Sequence, residues 1–106
     1  MLAGCINLKM EKLSNNMEKE IGIAMIAAAN KAIEYTNKNF NSSIEEVLSH
    51  VMENANYKGE LKLGAIVSAS AAFHFRERNP RAKDREVFQF ILNKIPELVK
   101  EITAKE

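Results

Sequence analysis

Two stretches of this chain, Ile21 to Ala29 and Leu63 to Phe73, have helical spacing yet carry no charged residue on any side. A helix on the rim of a small globule shows a polar face, so one that is apolar all round must be covered from several directions. One compact chain of 106 residues offers few such positions. The mismatch predicts self-association or a partner protein, and it says little about chemistry.

The remaining composition narrows the field. At 46% hydrophobic and 27% charged, the chain suits one globular domain that buries about two-thirds of its unfolded surface. Fifteen Lys and Arg stand against fourteen Asp and Glu, so no global field selects nucleic acid, an anionic membrane or an acidic ligand. A single cysteine, Cys5, excludes an intrachain disulfide framework and fits a reducing cytoplasm. Leu2-Ala3-Gly4-Cys5 spells a lipoprotein-type cleavage pattern, but only Met1 precedes it where basic and apolar regions are required, so we read it as chance. The uncharged run from Leu63 to Phe75 is well short of the roughly 20 residues that cross a bilayer, and no membrane association is expected.

Helical periodicity dominates and no hairpin turn separates alternating apolar runs, which predicts an all-α fold. Residues 1–15 read as a flexible leader or a helix extension, with Met10 and Met17 as further possible start positions, and residues 16–106 as a single helical domain. Ser14, Asn15 and Asn16 offer N-cap oxygens for a first helix running from about Asn16 to Asn37. Helix 2 follows a capping box, Ser42 with Glu45 or Ser43 with Glu46, and carries Ile44, Val47, Leu48, Val51 and Met52 as one stripe, leaving His50 towards water. Helix 3 spans about Glu60 to Arg78, closed by Asn79-Pro80. Helix 4 starts near Asp84 as cap, and Pro96 predicts a kink between Leu92 and Ile95.

Ala24, Ala28 and Ala32 recur one turn apart, as do Gly64, Ser68 and Ala72. Small side chains at i, i+4 and i+8 let two helix axes approach closely, so helices 1 and 3 are expected to meet along these rows. Gly22 and Gly64, each costing roughly 1 kcal/mol against alanine inside a helix, point to close packing as well. Ser68 and Ser70 are expected to bond to the preceding turn of their own helix.

Signals for chemistry are sparse. His50 and His74 lack the partner spacing of helical metal sites, and no phosphate loop, paired-cysteine pattern or nucleophile elbow occurs, so neither catalysis nor a cofactor is expected. Arg76, Arg78, Arg81, Lys83 and Arg85, beside Phe73 and Phe75, could meet phosphates and bases. Glu77, Asp84 and Glu86 interleave with them and suit the helix dipoles, which favours a structural role. The sequence therefore predicts a compact four-helix, mostly antiparallel bundle with a Pro-kinked last helix, oligomeric, cytoplasmic and non-enzymatic. It would act as a homodimer or small subunit that binds protein through an apolar helix face, using Met25, Ala29, Ile66, Phe73 and Phe90. Nucleic-acid association through the basic segment 74–85 is the alternative.

Overall fold

A computed structural model describes the backbone of residues 2–53 and 55–104 and the side chains of 17–53 and 55–104. Four α-helices are present, α1 Leu2–Lys38, α2 Ile44–Met52, α3 Glu60–Arg78 and α4 Asp84–Ala104, and the described residues contain no strand. The boundaries of α2, α3 and α4 begin where the sequence places them. Helix α1 does not: its backbone is already helical at Leu2, so the expected start at Asn16 is overridden by continuation of the helix. Cys5 and the cap side chains Ser14, Asn15 and Asn16 lie outside the described side chains.

The largest helix contact is between α1 and α3. Ile21 and Met25 face Gly64, the Ser68 hydroxyl donates to the Met25 carbonyl oxygen at 2.6 Å, and Asn37 accepts from Arg76, so contacting positions ascend together along the two helices. A Cβ placed on Gly64 would lie 2.9 Å from Ile21 Cγ2 and 3.2 Å from Met25 Cγ, closer than ordinary packing allows. Both small-residue rows are buried, and on α3 Gly64 and Ser68 line this contact, where their partners on α1 are Ile21 and Met25. Ser68 corrects its expected role, because its hydroxyl reaches across to α1 rather than back along α3. Burial with a partner makes that bond worth about 1 kcal/mol and fixes the vertical offset of the two helices. Gly22 differs from the expectation too. A Cβ there would meet Ile95 Cγ2 at 3.7 Å, ordinary contact, so close packing does not require the glycine.

Helices α2 and α4 each touch both α1 and α3 but not each other. Val47 and Val51 of α2, with Val87 and Ile91 of α4, close one core with Ala28, Ala29, Ala32, Ile33, Ala65, Ala69 and Ala72. At the far end Val99 and Ile102 join Ile21 and Met25, with Leu61, Ile95 and Leu98 packed against them. The α4 helix continues through Pro96 without a break, although proline withholds the amide that would bond the Leu92 carbonyl.

Of the two capping registers, the structure uses Ser43: its hydroxyl accepts from the Glu46 amide at 3.2 Å, and the Glu46 carboxylate faces the Ser43 amide. Asp84 does not act as the α4 cap. Its carboxylate accepts from Asn37 and Arg76, while Glu86 accepts from the Lys83 amide at 3.3 Å. Gly59, just before α3, has φ 58 and ψ −128, a conformation that side chains rarely tolerate.

Candidate functional site

Superimposed on the four helices is a repeat. Asn39 and Asn79, forty positions apart, each bond through backbone amide (2.9 Å) and side-chain Nδ2 (3.0 Å) to the carbonyl four residues before, Tyr35 and Phe75. At the same separation Val47 and Val87 open their helices on the carbonyls of Ser43 and Lys83. Tyr35 stacks on His50 with ring centroids 4.7 Å apart, and Phe75 stacks on Phe90 at 4.4 Å. The chain is thus two helix-turn-helix units, α1–α2 and α3–α4, around the α1–α3 pair. Sequence reasoning missed this, although Glu20/Glu60, Ile26/Ile66, Ala29/Ala69, Ala32/Ala72, Asn39/Asn79 and Glu46-Val47/Glu86-Val87 hold the signal at one fixed spacing.

The units differ in length. Met52, where α2 ends, corresponds to Leu92, beyond which α4 runs twelve more residues to Ala104. That extra length covers one side of the α1–α3 pair. On the α2 side the equivalent place is an open groove of about 320 Å³ lined by Glu20, Ile23, Ala24, Ala27, Tyr57 and Leu61. Ile23 beside it is 67% exposed and Leu63, its counterpart on α3, 43%. Burying either would remove apolar surface from water at about 25 cal/mol per Å².

Among the expected interface residues, Met25 and Ala29 have no exposed surface at all, because α3 and the core cover them within the chain. Neither can meet a partner directly. Ile66, Phe73 and Phe90 are half-buried, and the Phe90 ring is engaged by Phe75 on one side with Lys94 Nζ 5.7 Å from its centroid. The uncharged faces that remain open are those of Ile23 and Leu63, which the sequence places in the right segments without saying which side of each helix the chain covers.

The two turns lie at the same end of the bundle. There Arg76 bridges them: Nη1 donates to Asn37 Oδ1 at 3.0 Å and Nη2 pairs with Asp84, while Asn37 Nδ2 donates to Asp84 Oδ2 at 2.8 Å. Arg76 is 22% exposed and its Nε is buried without a partner, so this cation is committed to joining α1, α3 and α4. Arg78, Arg81, Lys83 and Arg85 are exposed and take part in none of the ion pairs among the described residues. Arg78 and Arg81 line a shallow cleft with Phe75, Asn79, Pro80, Ala82 and Glu86. Pro80 also borders a second cleft, of about 260 Å³, formed by Thr36, Phe40, Ser42, Phe73, Arg76 and Glu77. Phe40 there is 89% exposed, a residue the sequence reading passed over inside an asparagine-rich turn. Phe75, expected beside the arginines as a free ring, is instead spent on Phe90.

His74 lies within 3.4 Å of Glu77 on the surface, and His50 is 3.9 Å from Glu53 and stacked on Tyr35 rather than turned fully to water. Among the described residues no three His, Cys, Asp or Glu side chains converge as a metal site would need, and no described helix is long and apolar enough to cross a membrane. The chain matches no protein-family model, no curated protein and no solved structure.

Proposed function

We propose that this chain is a non-enzymatic helical protein–protein interaction module of the cytoplasm, a mostly antiparallel four-helix bundle bent at Pro96, that pairs with a second copy through an apolar helix face. One observation carries the reading: Ile23 stands 67% exposed on a charge-free helix segment, beside an apolar groove that the short α2 leaves open. A two-fold interface needs projecting and receiving elements on one surface. Ile23 supplies the first, and the alanine-floored groove with Tyr57 and Leu61 supplies the second. Ile66, Phe73 and Phe90 lie outside the groove and add partly buried apolar area at other faces, while Met25 and Ala29 contribute only by supporting α1 from within.

The test is solution mass by light scattering across a concentration series, for the wild type and for Ile23→Asp. Because Ile23 is 67% exposed, the variant should keep its helicity. A dimer that Ile23→Asp converts to monomer is the expected result. A wild type that stays monomeric at every concentration, or a dimer indifferent to the substitution, overturns pairing through this groove.

A further inference from the structure

We infer that the turn-bearing end of the bundle binds single-stranded nucleic acid, with the exposed Phe40 ring as a stacking platform and Arg78 and Arg81 as phosphate contacts. This is a separate surface from the Ile23 groove and does not depend on pairing. An aromatic ring 89% exposed at a turn contributes nothing to the core, and exposure alone gives no reason for it, since single exposed apolar residues are common. Its neighbourhood does give one. The Phe40 cleft and the Arg78–Arg81 cleft share Pro80 as a wall, so the ring and the guanidinium groups border adjoining clefts at the turns.

Of the acids that dilute this basic segment in the sequence, Asp84 is paired with a cation of the segment, Arg76, while Glu77 and Glu86 line the Phe40 and Arg78–Arg81 clefts themselves. Asp84 is held by Arg76 and Asn37, Glu77 lies against His74, and Glu86 turns back to the Lys83 amide. Four cations, Arg78, Arg81, Lys83 and Arg85, are left facing solvent at the end of α3, on the turn and in the first turn of α4. A backbone-tracking row of cations next to an aromatic platform is what sequence-tolerant single-strand binding requires, because every base has a π-face and every nucleotide a phosphate. Arginine's planar fork suits phosphate oxygens in particular. A duplex hides its base faces, and an acidic peptide offers charge without a ring to stack, so both are disfavoured at Phe40.

Fluorescence anisotropy of short labelled oligo(dT) and oligo(U), against a labelled duplex and an acidic peptide, tests the inference as salt is raised. Single-strand affinity should fall with a log–log slope of about −0.7 per phosphate contact. Phe40→Ala should weaken it by about tenfold with the slope unchanged. The double variant Arg78→Ala, Arg81→Ala should flatten the slope by one to two contacts. All these side chains are exposed, and circular dichroism should show the variants folded. Absence of binding at low salt overturns the proposal, as does binding that ignores Phe40→Ala, or equal affinity for the duplex or the acidic peptide, each of which would mean charge attraction without a base platform.

Discussion

The two helix-turn-helix units share one backbone plan and put it to different uses. In the first, Ser43 caps a nine-residue α2, the turn carries Asn39, Phe40 and Asn41, and the groove below stays open. In the second, Lys83 takes the serine's place, Asp84 turns to Arg76, and α4 runs 21 residues to seal the far end with Val99 and Ile102. The second unit completes the core; the first leaves surface to spare. Equivalent positions therefore should not be equally sensitive to mutation.

Ile91→Ala should have the largest effect, because it empties a fully buried site, costing about 2–5 kcal/mol in urea unfolding. Its counterpart Val51→Ala removes one methylene fewer and should cost about 1 kcal/mol less. Equal losses would show that α2 and α4 hold the core alike. The glycines offer a change of sign. Gly64→Ala pushes a methyl into Ile21 and Met25 and should destabilise by about 1–3 kcal/mol. Gly22→Ala meets only Ile95 at ordinary distance and should stabilise by up to about 1 kcal/mol, read as a higher Tm. If both destabilise, α1 packs as tightly against α4 as against α3.

Ser68→Ala removes the bond to Met25 and should lower stability by about 1 kcal/mol in urea unfolding. The smallest effect concerns caps. Ser43→Ala should cost about 1 kcal/mol, and Lys83→Ser should recover a few tenths to about 1 kcal/mol by giving α4 the acceptor that α2 already has. A Lys83→Ser variant no more stable than wild type would mean that the Arg76–Asp84–Asn37 bridge already sets the start of α4.

Much of this architecture can be read from the residues alone, for identifiable reasons. Helix ends at Glu60, Arg78 and Asp84 follow from Gly59, Asn79-Pro80 and the acidic first turn, which are local signals. That α1 and α3 meet follows on the α3 side from Gly64 and Ser68 at helical spacing, whereas their α1 partners are the larger Ile21 and Met25. What stays hidden depends on facts no window contains. Met25 and Ile23 are both apolar residues of one uncharged segment, yet one is wholly covered and the other mostly open, and only the placing of α3 and the short reach of α2 separates them. Phe40 and Arg81 lie forty-one positions apart, and the clefts they line adjoin at Pro80 because two turns come to the same end of the bundle. Ser14 to Asn16 offer good caps, but a cap only marks a helix start where the preceding chain leaves the helix.

The Ser68 hydroxyl joined to Met25 also bears on how the chain folds in time. The central pair is closed by contacts between residues about forty positions apart, so loop closure must be met before much apolar surface is rewarded, a condition that slows folding. Synthesis delivers α1 and α2 first, and α2 is too short to cover the charge-free stretch from Ile21 to Ala29. Until α3 arrives, that stretch is exposed to every other unfinished chain nearby. The interval between the first unit and the second is thus one in which Ile21, Met25, Ala28 and Ala29 lack the α3 and α4 side chains that cover them in the finished fold.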